Sequence, residues 1–182
     1  MVELTDEQIM QQVCQEQTEK MTLLFERYHV KLYNFFLRNT ADEELSQDLT
    51  QNVFLRMLKY RSSYKIGSPF KAWFYQIARN VQIDHFRKKR VETSPLDKVN
   101  AERNIKLKTE DHDLEKQERL QMLHAALQQL PEDKREILVL SQLEEMEYKQ
   151  IALILNMTEN AARVKVHRAL KSLKEIFEKK MG

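Results

Sequence analysis

Residues 148–173 read YKQIALILNMTENAARVKVHRALKSL, and the interruption at Asn156, Met157 and Thr158 decides how this part of the chain folds. Before it, Tyr148, Ile151, Ala152 and Leu155 recur at helical spacing. After it, Ala162, Val166, Ala169, Leu170 and Leu173 trace a second apolar stripe. Thr158 suits an N-cap, because its hydroxyl can accept an orphan amide of the second helix, and Asn156 tolerates the left-handed backbone that ends the first. The stretch predicts two helices meeting across a tight turn, a helix-turn-helix.

On the second helix Asn160, Val164, His167, Arg168 and Lys171 face away from the stripe, with Arg163 and Lys165 on its flanks. Almost no acid lies between Asn160 and Lys174, so the exposed face is basic throughout. That suits the DNA major groove, where Arg reads guanine edges, an exposed Val touches a thymine methyl and Lys neutralises phosphate. The plainer reading is a solvated hairpin whose basic face keeps it soluble, since such patterns also arise without DNA binding.

Across all 182 residues, 30 Lys plus Arg stand against 28 Asp plus Glu, a formal net charge of +2. A basic helix in a near-neutral chain requires acidic surfaces elsewhere. Two Gly and three Pro supply few of the turn signals that hairpins need, which predicts an all-α chain. The single cysteine, Cys14, cannot form an internal disulfide or a thiolate zinc site and reads as a buried structural thiol. The acidic start MVELTDEQIMQQV lacks a basic n-region and apolar h-region, and no run of 18 apolar residues occurs, so a soluble cytoplasmic protein is expected.

The N-terminal part reads as successive helices. Thr5 and Gln8 form a capping box ahead of Ile9, Met10 and Val13; from Met21 to about Asn39, Leu24, Phe25, Tyr28, Leu32, Phe35 and Phe36 are expected in the core. A second capping box, Thr40 with Glu43, opens a helix to about Tyr60, with Leu45, Leu49, Val53 and Met57 on its buried side. Glu44, Asp48, Gln51 and Leu55 lie opposite, with Phe54 and Leu58 nearby. Carboxylates beside exposed large apolars suit a docking surface for a basic partner, and bundle core is the competing account of Phe54, Leu55 and Leu58.

Residues 61–68 form a polar loop carrying Tyr64 and Lys65, after which Ser68 as N-cap and Pro69 start another helix. Its inner stripe is Phe70, Trp73, Phe74, Ile77 and Val81, while Lys71, Arg79, Arg87, Lys88, Lys89 and Arg90 make the outer surface positive. Rings interleaved with cations suit single-stranded nucleic acid, by base stacking and backbone neutralisation. Most of these aromatics are expected in the core, leaving Tyr64 and the polar positions as binding candidates.

In this order, DLTQNVFLRML, SPFKAWFYQIARNVQIDHFRKKR, LPEDKREILVLSQLEEMEYKQIALIL and the helix-turn-helix resemble the RNA polymerase sigma factors of the sigma-70 family, extracytoplasmic-function (ECF) type. The likeness covers nearly all of residues 20–90 and 115–176. It implies two helical domains, the first binding the polymerase clamp and opening the minus-ten element, the second reading the minus-thirty-five element. By position, Asp48, Gln51 and Phe54, together with Glu44 and Leu55, would face the clamp. The loop from Tyr64 to Ser68, with Lys65, would hold a base flipped from the non-template strand, with Lys71 and Arg79 on the adjoining helix. Asn80, with Asp84 and Arg87, would meet the upstream edge of the minus-ten element. Asn160, Arg163, Val164, Lys165, His167, Arg168 and Lys171 would meet the minus-thirty-five element. The turn has Asn156 where glycine is common in the family, and Asn160, Ala161 and Val164 stand where Gly, Thr and Ser are frequent, so base preference does not transfer from other members.

Residues 91–113 mix both charges, carry Pro95 and lack an apolar stripe, the composition of a flexible linker between domains at 1–90 and 114–182. About 23 residues at about 3.3 Å each reach at most about 75 Å. Two elements about 25 base pairs apart are separated by about 85 Å, so with the width of both domains the linker suffices. Beyond it, Leu120, Leu123, Ala126, Leu127 and Leu130 predict a helix stopped by Pro131, and Ile137, Leu138 and Leu140 another beneath the reading helices.

The expected partners are core RNA polymerase and promoter DNA; the residues leave open whether an anti-sigma factor or another regulator also binds. A dimeric helix-turn-helix regulator would account for the C-terminal half but leave the docking helix and aromatic-basic helix without purpose. An enzyme fits least. The five histidines and the carboxylates show no metal-ligand spacing, the adjacent Asp84 and His85 point different ways on a helix, and no phosphate-binding glycine loop occurs, so no cofactor is expected.

Overall fold

The computed structural model describes residues 3–92 and 114–181, and every regular element among them is helical. The Thr5 capping box is formed, with the Gln8 amide donating to Thr5 Oγ1 (3.3 Å) and the Thr5 amide to Gln8 Oε1 (2.9 Å). It starts α1 (Asp6–Cys14), which buries Ile9, Met10 and Val13. Cys14 Sγ donates to the Arg61 carbonyl at 3.1 Å, and burial raises its thiol pKa, which fits a packing role.

Helix α2 (Met21–Thr40) buries Leu24, Tyr28, Leu32, Phe35 and Phe36 as its stripe predicts. Phe25 departs from that expectation: it is 43% exposed, stacked on His29 and tilted against Phe54, because its Cα lies at the edge of the stripe. Ala41 in the left-handed region (φ 56°) ends α2, so the next helix begins two residues later than the Thr40 and Glu43 pattern predicts. Asp42 is the cap of α3 (Glu43–Lys59), accepting from the Leu45 amide at 3.0 Å. Thr40 turns back instead, its hydroxyl donating to the Phe36 carbonyl.

Helix α4 (Phe70–Glu92) also starts differently from its sequence signal. Ser68 Oγ donates to the Lys65 carbonyl, and the Phe70 amide is taken by the Glu7 carboxylate of α1 at 3.0 Å. The cap is thus supplied by tertiary contact. Phe54, Phe70 and Phe74 pack with Tyr28, Tyr64 and Trp73 between α2, α3 and α4. Fully burying each phenylalanine side chain contributes about 1.5–3 kcal/mol, so this cluster anchors the N-terminal half.

Of the expected linker, Val91 and Glu92 prolong α4, and residues 93–113 lie outside the described residues. The C-terminal half comprises α5 (Leu114–Gln128), α6 (Glu132–Leu138), a π-helical turn over Val139–Leu143, α7 (Tyr148–Leu155) and α8 (Glu159–Met181). The expected stop and start signals of the helix-turn-helix are both used. Asn156 lies in the left-handed region (φ 52°, ψ 53°), and Thr158 Oγ1 accepts the Ala161 amide at 3.1 Å. Ala162, Val166 and Ala169 are buried, whereas Leu170, expected in the same stripe, is 38% exposed at its rim.

Candidate nucleic-acid interface

On α8 the predicted basic face is open. Asn160, Arg163, Val164, His167, Arg168 and Lys171 are exposed, with Val164 at 41%. Two flanking cations also have work inside the fold. Arg163 reaches Glu159 at 3.3 Å and lies 5.5 Å from the Tyr148 ring centre, tying α8 to α7. Lys165 is half-buried and pairs with Asp133 at 3.2 Å, tying α8 to the start of α6. Lys165 is therefore less open than the other cations of this face, although an ion pair this exposed is weak. Asn160, Val164, His167, Arg168 and Lys171 project without such a contact among the described residues, and Arg163 remains exposed beside them.

On α3, Glu44, Asp48, Gln51 and Leu55 form one exposed row, and Leu55 is 68% exposed. Phe54 is not part of it: only 9% exposed, it packs on Phe25 and Phe74, as the core reading of that residue requires. Leu55 is thus a large apolar side chain left open on the same face as Glu44 and Asp48.

Tyr64 is the clearest correction. It is 4% exposed, its ring is against Trp73 at 5.2 Å, and its hydroxyl donates to the Ser68 carbonyl at 2.6 Å. Burial raises its pKa, and its ring has no free face for a base; the residue shapes the loop from within. Lys65 and Gly67 are exposed in that loop, with Gly67 at φ 86°, and Ile66 is 57% exposed at its tip. Along α4 the open row is Gln76, Asn80, Ile83 and Arg87, at helical spacing. Gln76 and Ile83 were missed because neither is cationic nor aromatic. Asp84 pairs with Arg56 at 2.7 Å and Arg87 at 3.2 Å, and the Arg56 hydrogen bond holds its carboxyl pKa down.

Lys71 and Arg79, expected on the outer surface of α4, are instead half-buried against the C-terminal half. Lys71 Nζ donates to the Glu144 carbonyl, and Arg79 Nε pairs with Glu136 of α6 at 2.8 Å. Glu144 follows the π-helical turn, whose wider winding is closed by its amide donating to the Val139 carbonyl at 2.9 Å. Its carboxylate enters the N-terminal half, accepting from the Tyr75 hydroxyl and lying 3.6 Å from Arg38. In the reverse direction Arg135 of α6 donates to the Asn39 carbonyl at 2.6 Å, and Gln128 of α5 to the Arg38 carbonyl at 2.6 Å. Burial raises the pKa of Glu136 and Glu144 and lowers those of Arg38 and Lys71. The charges thus only partly recover the cost of leaving water. No periodicity announces these contacts, since each partner lies more than 50 residues from the other.

The described residues are all-α, with an exposed basic face on α8, an exposed row carrying two carboxylates on α3 and an exposed, mostly polar row on the long α4. Residues 24–92 match Sigma-70 region 2, and residues 120–173 match Sigma-70 region 4. The ECF RNA polymerase sigma factor SigM of Bacillus subtilis (strain 168) is 31% identical over 157 residues, covering 86% of this chain and 94% of its own. For SigX of the same organism the figures are 29% over 166 residues, 88% and 84%. The chain belongs to the ECF RNA polymerase sigma factors of the sigma-70 family. Solved structures that share its fold include the two that follow. The sigma factor RpoE of Bartonella quintana, crystallised with the anti-sigma factor NepR, has a TM-score of 0.74 at 24% identity, covering 86% of this chain and 96% of that one. CnrH, in complex with the cytosolic domain of CnrY, has a TM-score of 0.72 at 19% identity, covering 95% and 97%.

Proposed function

We propose that this sigma factor divides its labour among three helices: α3 joins core RNA polymerase, α4 holds the opened minus-ten element, and α8 reads the minus-thirty-five element. In this reading residues 1–90 form the first domain, 91–113 the linker and 114–182 the second domain. The observation that carries it is the coincidence of exposed rows with family positions. On α3, Glu44, Asp48, Gln51 and Leu55 are open, and on α8 so are Asn160, Val164, His167, Arg168 and Lys171. On α4 the bases would meet Asn80 and Arg87, extended by Gln76 and Ile83, with Lys65 and Ser68 at the loop, while Asp84 orients Arg87. Lys71 and Arg79 would grip the backbone once released from the C-terminal half.

The protein contributes positioning and base recognition and no catalytic step of its own, acting in the cytoplasm where polymerase meets DNA. No described helix is long and apolar enough to cross a membrane. An anti-sigma factor or another regulator is a further partner that this reading accommodates. The test is core binding by Asp48→Lys: charge repulsion should weaken it several-fold or more while helicity is unchanged. Unaltered affinity at physiological salt would remove α3 as the docking surface.

A further inference from the structure

Helix α1 stands outside the three helices assigned to core polymerase and DNA, yet it holds both ends of the loop between α3 and α4. At the near end Cys14 Sγ donates to the carbonyl of Arg61, in the single helical turn over Arg61–Ser63. At the far end Glu7 Oε1 accepts the Phe70 amide, at the first residue of α4. Glu7 and Cys14 are about two turns apart on one helix, so a single rigid element spans the loop from below. Tyr64, buried in the loop, is close to both: after burial, the charge of Glu7 is the next cause raising its phenol pKa, with Cys14 acting in the same direction.

The loop's own hydrogen bonds set its shape. The Tyr64 hydroxyl donates to the Ser68 carbonyl and Ser68 Oγ to the Lys65 carbonyl, each at 2.6 Å. Lys65, Ile66 and Gly67 project from this fold, and no atom beyond the chain neighbours lies within 4 Å of where a Cβ on Gly67 would stand. Glu7 makes the Ser68 bond possible. Standing just before Pro69, Ser68 is the local cap for α4, and its hydroxyl would have to turn away from the Lys65 carbonyl to reach the helix amides. A carboxylate at the positive end of α4 is the stronger acceptor and takes that duty instead.

We propose that Glu7 is a positioning residue for recognition of the unpaired base: with Cys14 it braces α1 beneath the loop, frees Ser68 to shape it, and fixes the loop's tip relative to Asn80 and Arg87 of α4. The inference rests on the reading above that this loop receives a flipped base. Groups that read one strand together must be held in fixed register by their supporting shell, and internal bonds alone leave the loop free to rock about its ends. Without the Glu7 carboxylate, Ser68 turns to cap α4, the Lys65 carbonyl is released and the tip shifts. The other polar tie of α1 is separate, since Asp6 accepts from Arg27 and from the Tyr28 hydroxyl of α2 and touches no residue of the loop.

The experiment measures holoenzyme binding to premelted promoter fragments, taken from a start site that the holoenzyme uses, with each base in turn at every minus-ten position of the non-template strand. Lys65→Ala with Ile66→Ala identifies the position that the loop reads, as the one whose preference it flattens. Glu7→Ala should lower the preference at that same position several-fold and leave the other positions and core affinity as in the parent. Glu7→Gln, which keeps an acceptor for the Phe70 amide, should retain most of the preference, and Asp6→Asn, which loosens α1 on α2 alone, all of it. A merely structural loss would lower every position together or appear equally in Asp6→Asn; either result overturns the brace, as does a parent-like preference in Glu7→Ala. Should circular dichroism show Glu7→Ala poorly folded, Cys14→Ala releases the other end of the loop and carries the same comparison. If the loop double variant flattens no preference, the assignment of the loop to DNA fails first, and the brace falls with it.

Discussion

Replacing Arg168 by Ala separates base reading from adhesion on α8. Arg168 is exposed and makes no ion pair among the described residues, so its removal costs the free fold little, and alanine is at least as good a helix former. The whole effect should therefore fall on DNA. A bidentate contact from Arg to a base carries about 1–3 kcal/mol of discrimination. At about 1.4 kcal/mol per tenfold, that is roughly 5-fold to 150-fold at one base pair. Lys171→Ala, by contrast, should weaken every sequence alike and reduce the salt slope by about one, the signature of a phosphate contact. The assay is holoenzyme binding to a series of promoter fragments, each altered at one upstream base pair, at two salt concentrations. Arg168→Ala should flatten the preference at one position and leave the others intact. A uniform loss across the series would show that this face grips the backbone and that specificity resides elsewhere.

Three further expectations follow from the structure. His124 is buried with neither ring nitrogen hydrogen-bonded among the described residues, and burial, with Arg38 and Arg135 nearby, lowers its pKa from 6.5 to about 4. The unfolded chain therefore takes up a proton that the folded chain excludes as pH falls from about 6.5 toward 4, and stability should drop by up to about 3 kcal/mol. Urea melts across that range should show this drop relative to His124→Leu; the comparison is needed because Glu136 and Glu144, raised by burial, act with the opposite sign. Tyr64→Phe should cost about 1 kcal/mol of stability through the lost bond to Ser68 and leave promoter opening intact, because the ring is enclosed; impaired opening by permanganate reactivity would return the residue to the DNA site. Asn80→Ala should spare closed-complex formation yet slow opening on duplex DNA, and a premelted bubble template should rescue it; normal opening would remove Asn80 from the melting surface.

The sequence was most informative where a local signal and a periodic one coincide. Asn156 and Thr158 end one apolar stripe and start the next, and both act through their own backbone neighbourhood, so the helix-turn-helix is legible residue by residue. The exposed row from Glu44 to Leu55 is legible from periodicity alone, although the capping signal at Thr40 is not the one used. What escaped depends on neighbours remote in the chain. Ser68 carries a good cap signal, yet Glu7 arrives from α1 to take the Phe70 amide. Tyr64 sits in a polar loop, yet Trp73 and Phe70 close over it. Lys71 and Arg79 have the pattern of a solvated face, and only the return of Glu136 and Glu144 from the other half explains their burial. Periodicity fixes which face of a helix is apolar, but not which polar residues a second domain will cover.

The most direct test is transcription by core polymerase reconstituted with this protein on genomic DNA, with the starts mapped. Discrete start sites that appear only when the protein is present, each preceded by the same pair of upstream elements, are the result predicted. Transcripts that start identically with and without it, or a protein that fails to come down with core polymerase, would contradict the assignment of α3, α4 and α8 to a single promoter-opening device.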